Sequence, residues 1–208
     1  MARRQDRPRA IRPRHGARAA TRCDVRDAIP FTLIRHAPVV ADGRAYGRRD
    51  LPARIDPAAC ARLRAALPPP SRLIASPAAR CLSTAAAIWP NLVAQPEPAL
   101  LEQDLGAWEG LPLSDLPDIG RLDGAALATH RPPGGESFDD MRARVAPVLA
   151  ALSEPAAIVA HAGTVRAALS LALGDIPTAL RFEIAPLSVT EILRLPQGWV
   201  VRGVNRCP

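Results

Sequence analysis

The chain contains no lysine among its 208 residues, so its 27 basic side chains other than histidine are all arginine. That bias reads as the codon usage of a GC-rich genome and not as selection for a charged surface. No run of eighteen apolar residues occurs, because the alanine- and leucine-rich stretches are broken by arginine, proline or aspartate; no helix is expected to span a membrane, and the protein is read as soluble. The N-terminus lacks an apolar core segment, which excludes a secretory signal and leaves an arginine-rich transit peptide as the weaker alternative. Cys23, Cys60, Cys81 and Cys207 form no CxxC pair, which argues against a disulfide framework or a zinc knuckle and for reduced thiols in a cytoplasm. No internal repeat is visible.

What is present divides unevenly. Net charge is +7, and six of those charges fall in residues 1–29, where nine arginines face Asp6, Asp24 and Asp27. This Arg/Pro-rich segment is expected to be a disordered extension or the product of a misplaced start codon, and no nucleic-acid partner is expected of it. The remainder is nearly neutral and long enough for one α/β domain over 30–208.

Within that domain apolar strands alternate with helices. "PFTLIRH" (30–36) and "RLIAS" (72–76) read as buried strands. A helix opens at Asp56 and Pro57, and a second is expected to open with Ser76 as N-cap and Pro77 as its first residue. Ser137 and Asp140 suggest a capping box for the helix that continues through Pro147, where a kink is expected. "AAIVAHAG" (156–163) is a further strand feeding a helix, and "SVTEILRL" and "GWVVRGV" form a hairpin around Pro196-Gln197-Gly198. Between Leu100 and Gly135 the pattern weakens into a loop-rich helical insertion. Such alternation implies a mostly parallel sheet with helices on both faces, whose ligands sit at the carboxyl ends of the strands.

Four features fall at those ends: Arg35-His36, Ser76 with Arg80, Glu102 in "LLEQDLGAWEG", and His161 in "VAHAGTVR". Two histidines, two arginines and a carboxylate provide a nucleophile, an anion clamp and a proton donor, the parts that phosphoryl transfer requires. A two-histidine, one-carboxylate metal site is the rival. It lacks any H-x-D or H-E-x-x-H spacing, and Arg35 would repel a divalent cation. A non-catalytic phosphate-binding module is a further alternative.

The segments "LIRHAPV", "ASPAARCLSTA", "LLEQDLGAWEG" and "VAHAGTVR" resemble, in order and spacing, the histidine phosphatases related to phosphoglycerate mutase, and the resemblance runs from about Pro30 to Val204. It implies a three-layer α/β/α sandwich and a metal-independent, cofactor-free phosphomonoester hydrolase working through phosphohistidine. By motif, His36 is the implied nucleophile, Arg35 and Arg80 the phosphate clamp, and His161 a second phosphate-pocket histidine, with the backbone N–H groups of Ala162 and Gly163 beside it. The family motif places the general acid at Glu102, although chemistry alone does not separate it from Glu109. Trp108 and Gly110 read as packing and turn residues. Alanine at position 37 departs from the family's usual glycine and, with "AYGRRDLPA" (45–53), resembles the branch acting on α-ribazole 5′-phosphate in cobalamin assembly. Gly47 and Arg48 would then line the substrate side. A mutase needs extra cations, and the insertion offers only Arg121 and Arg131, so hydrolysis of a small phosphorylated substrate is favoured over mutase activity.

Overall fold

The computed structural model describes residues 28–40 and 43–208. The extension expected over 1–29 lies outside the described residues up to position 27, and Ile29 already belongs to the first strand.

Six strands form one sheet: β1 (Ile29–Arg35), β2 (Leu73–Ala75), β3 (Gln95–Pro96), β4 (Ala156–Ala160), β5 (Val189–Leu195) and β6 (Gly198–Arg206), in the order β3-β2-β4-β1-β5-β6. The first four run parallel, and β5 and β6 join antiparallel at one edge as the expected hairpin. Alternation along the strands splits the core in two. Phe31, Leu33 and Ile158 point to a layer containing α4 (Phe138–Ala151) and α5 (Ala162–Leu173). Ile34, Ala157 and Val159 point to the opposite layer of α1 (Pro57–Ala66) and α2 (Ala79–Ile88). The α/β architecture expected from the sequence is therefore present. Ile158 is fully buried, and truncating such a side chain to alanine costs about 2–5 kcal/mol.

Two helix starts follow local signals. Asp56 accepts from Ala58 N–H at 2.9 Å ahead of α1, and Ser137 and Asp140 complete a reciprocal capping box at α4. Pro147 lies on the exposed face of α4, which continues to Ala151. The start of α2 differs from expectation. It begins at Ala79, and Ser76 provides no side-chain cap to it. Asp50, from a loop 29 residues earlier, accepts from the Ala79 N–H at 2.9 Å, while the Ser76 hydroxyl is drawn to His161. A long-range carboxylate thus replaces the expected local cap.

The insertion over 100–135 consists of short 3-10 turns and α3 (Gly124–Thr129), which packs against α4 and α6 (Ile176–Ala179). Among the described residues no helix is long and apolar enough to cross a membrane, and Cys60, Cys81 and Cys207 are free thiols.

Candidate active site

Strand register brings the histidines together. In the β1–β4 pair Arg35 lies opposite Ala160, and in the β2–β4 pair Ala75 lies opposite Val159. The residues that follow, His36, His161 and Ser76, therefore emerge side by side at the carboxyl edge. The two imidazoles stand edge to face with centroids 5.2 Å apart.

His36 is 7% exposed, and its Nδ1 lies 2.7 Å from the Ala37 carbonyl oxygen. A carbonyl only accepts, so Nδ1 carries the proton and the Nε2 lone pair is free. Burial is the main force lowering the His36 pKa to about 3; the Ala37 contact opposes it, and Arg80 and Arg35 add to it. The ring is neutral at physiological pH.

Arg80 is almost wholly buried. It donates to the Gly47 carbonyl at 2.6 Å and the Arg49 carbonyl at 3.0 Å, and Nη2 lies 3.2 Å from His161 Nδ1. Since a guanidinium only donates, Nδ1 of His161 accepts, and its Nε2–H is left to donate to Ser76 Oγ at 2.8 Å. His161 is held neutral by burial first and by Arg80 second. Its two ring nitrogens thus face Arg80 and Ser76, an arrangement the sequence reading did not anticipate. Cys81 Sγ sits 3.5 Å from His161 Nε2, and burial pushes that thiol up to about 12.

Arg35 donates from Nη1 to the Ile184 carbonyl at 2.6 Å; burial lowers its pKa, and Glu102 works in the opposite direction. Glu102 accepts from Gly163 N–H at 3.3 Å and Gln103 N–H at 3.1 Å. A Cβ on Gly163 would come within 2.2 Å of Glu102 Oε1, so only glycine allows this approach. The segment carrying Glu102 is stapled by Arg144 of α4, which donates to the carbonyls of Ala99 (2.6 Å), Leu101 (2.7 Å) and Glu102 (2.9 Å) and pairs with Glu136 at 2.5 Å.

Glu109 separates from Glu102 by geometry. Its two oxygens accept four backbone N–H groups, those of Gly47, Arg48, Arg49 and Leu105, at 2.7–3.1 Å. It is a staple for the 47–49 loop and for the turn that follows Glu102.

Beside this cluster opens a cavity of about 340 Å³, with Glu102 and Gly163 in its wall. Tyr46, Trp108, Leu127, His130 and Phe138 are among the residues that line it, and Arg166 supplies a cation. Trp108, expected as a packing residue, stacks on His130 at 5.5 Å and also lines the cavity. Gly110 is a turn residue with φ +80°. Gly47 lies in the wall, where a Cβ would meet the Gln103 carbonyl at 1.9 Å. Arg48 is outside the wall, paired with Glu136 at 3.3 Å and Asp104 at 3.6 Å. Ala162 is the first residue of α5 and also lies outside it.

Neither insertion arginine enters the cavity, and Arg131 is paired with Asp140 at 2.6 Å. Arg166, Arg144 and Ser76 are the functional neighbours the sequence reading missed in these roles. The first sits within the quoted "VAHAGTVR", five positions after His161, and that spacing was its available signal. Among the described residues, no group of three His, Cys, Asp or Glu side chains is arranged to hold a metal ion.

The family model of the histidine phosphatase superfamily (branch 1) matches residues 31–206. The protein TTHB049 of Thermus thermophilus is 30% identical, with a TM-score of 0.68 over 83% of this chain and 98% of that one. A structure described as phosphoglycerate mutase from the same organism is 30% identical, with a TM-score of 0.66 over 83% of this chain and 97% of that one. Mycobacterial glucosyl-3-phosphoglycerate phosphatase shares the fold at 23% identity and a TM-score of 0.75, over 86% of this chain and 99% of its own. No curated protein matches the chain in sequence.

Proposed function

The chain belongs to branch 1 of the histidine phosphatase superfamily and is an enzyme of phosphatase or mutase type, and from that premise we propose that it hydrolyses phosphomonoesters through phosphohistidine on His36. The observation that carries this reading is the neutral His36 ring with its Nε2 lone pair free, close enough to the Arg80 and Arg35 guanidinium groups to feel the charge of both. Nε2 attacks phosphorus while the ester P–O bond breaks, and Glu102 gives its proton to the departing oxygen. The Ala37 carbonyl stabilises the charge that develops on the ring at Nδ1–H. Water then attacks the phosphoryl group, losing its proton to the Glu102 carboxylate; the P–N bond breaks, and His36 and Glu102 return to their starting forms. Arg35 and Arg80 oppose the charge on the transferring oxygens. In this reading His161 orders Arg80 through Nδ1, and the N–H of Ala162 opens the helix facing the phosphate, while that of Gly163 is engaged by Glu102.

The proposed leaving group carries an aromatic ring, and α-ribazole 5′-phosphate is the specific candidate. Support comes from the ring-rich wall of Tyr46, Trp108 and His130 next to Glu102. Arg166 favours a second reading, an acid-bearing leaving group or mutase action, because among the described residues only its Nε is engaged, with the Phe182 carbonyl at 3.0 Å.

Phosphate release from α-ribazole 5′-phosphate beside a panel of phosphomonoesters, in excess chelator, decides between these. Selective hydrolysis that disappears in His36→Ala supports both mechanism and substrate. Broad hydrolysis lost in the variant keeps the mechanism and discards the substrate; preference for phosphoglycerates favours the Arg166 reading. Turnover that survives the substitution overturns the mechanism.

A further inference from the structure

We propose that Thr84 is a positioning residue that sets the tautomer of His36 through the backbone of Ala37, a role that rests on the reading of His36 as nucleophile.

Thr84 lies in α2, one turn beyond Arg80, and is completely buried. Its hydroxyl donates to the Arg80 carbonyl at 2.6 Å. Threonine inside a helix often makes that bond, which by itself is structural. The second bond is different. The Ala37 N–H, 47 residues earlier in the chain, donates to the same Oγ1 at 3.0 Å. Both directions are forced, since a carbonyl only accepts and an amide N–H only donates, so the hydroxyl has one orientation.

Ala37 is also the residue whose carbonyl receives His36 Nδ1–H. Its N–H and its C=O belong to the two successive peptide units that flank its Cα, and the link between them is stiff because a residue before proline is confined to extended φ/ψ: Thr84 fixes the first unit, and the second holds the proton on the ring. Pro38 follows without an N–H of its own, and its carbonyl accepts from the Arg54 N–H at 2.6 Å, so the turn is held on both sides of Ala37. His36 itself is tied to the sheet through its N–H to the Ala160 carbonyl at 2.9 Å. One hydroxyl thus links the helix that carries Arg80 to the turn that orients the attacking nitrogen, which sets the spacing between nucleophile and clamp as well as the tautomer. Burial keeps the His36 ring neutral, and the hydrogen bond to Ala37 fixes which nitrogen holds its one proton.

The test uses Thr84→Val, which keeps the shape and removes the acceptor. Long-range ¹H–¹⁵N correlation on histidine-labelled resting enzyme at neutral pH reads the tautomer directly. Wild type is expected to hold the His36 proton on Nδ1. In the valine variant an Nε2–H population appears, and kcat for p-nitrophenyl phosphate falls about 10- to 100-fold with KM within about twofold, because a small misplacement of a reacting group carries that cost. Thr84→Ser, which retains the hydroxyl, recovers the wild-type tautomer and most of kcat. Should the valine variant not fold, Thr84→Cys, a weaker acceptor of similar size, carries the same expectations. A folded variant with the wild-type tautomer ratio and kcat overturns the proposal. The spectrum is independent of turnover, so a shifted tautomer supports Thr84 in this role even if His36→Ala remains active, an outcome that would overturn His36 as nucleophile instead.

Discussion

The proposed phosphate end and the proposed leaving-group cavity share Glu102 and Gly163 but are built in opposite ways. At the phosphate end His36, Ser76 and His161 are the first residues beyond three adjacent parallel strands, and their relative positions follow from strand register. Ser76, Arg80 and both histidines are buried, and every hydrogen bond described there joins fixed groups. In the cavity the wall comes largely from the insertion over 100–135, through Trp108, Ile119, Leu127 and His130, held by turns and staples. Chemistry is placed where the backbone ladder leaves little freedom, and selectivity where loops vary without disturbing the sheet.

The sharpest way to break that division is Glu102→Gln, at the one acidic residue both regions share. For an alkyl phosphate kcat should drop about 10²- to 10⁴-fold, the usual contribution of a general acid. For p-nitrophenyl phosphate, whose leaving group needs no proton, the loss should be much smaller. Equal losses on both substrates would remove Glu102 from the acid role.

Acid should destabilise the fold through its two buried imidazoles. His36 and His161 both have folded pKa values depressed by burial, His36 to about 3, against 6.5 when unfolded. Below pH 6.5 the unfolded chain binds protons that the folded site refuses, so their contribution to stability is complete above that value and declines steadily toward pH 3. Thermal melts across this window should show Tm falling with pH. A His161→Gln variant should show a shallower fall, and an unchanged slope would contradict the burial of a neutral ring.

Arg144→Met tests whether the shared wall depends on its staple. Removing a partly exposed guanidinium that serves three carbonyls and Glu136 should cost about 2–3 kcal/mol, or roughly 4–12 °C in Tm for a domain of this size. Turnover should fall with it as Glu102 loses its anchor.

On the cavity side, Trp108→Ala should lower kcat/KM for an aromatic leaving group about tenfold through loss of ring contact, with a smaller effect on glycerol phosphate. Arg48→Ala should have the least effect, within about 1 kcal/mol in stability by chemical denaturation, since its pairs with Glu136 and Asp104 are solvent-exposed. A large rise in KM for that variant would return Arg48 to the substrate side.

Much of this division was legible in the chain. Apolar runs ending in histidine marked the strands whose ends carry the site, and Asp56, Ser137 and Asp140 marked their helices, because those signals act within a few residues. The start of α2 was not legible, since its cap, Asp50, comes from a distant loop and Ser76 is diverted to His161. The two-residue β3 is too short to show a period. Glu102 and Glu109 were chemically equivalent in sequence; only the four N–H groups converging on Glu109 distinguish them.

By itself the sequence determined the alternating α/β order and the set of groups available for phosphoryl chemistry, because period and composition are local properties. Tertiary structure decided which face each ring nitrogen meets, that Arg166 and Trp108 enter the cavity while Arg48 does not, and that Thr84 reaches Ala37. Those outcomes depend on hydrogen bonds and close approaches between residues tens of positions apart. Such partners are chosen by strand register and packing, which no short window of sequence contains.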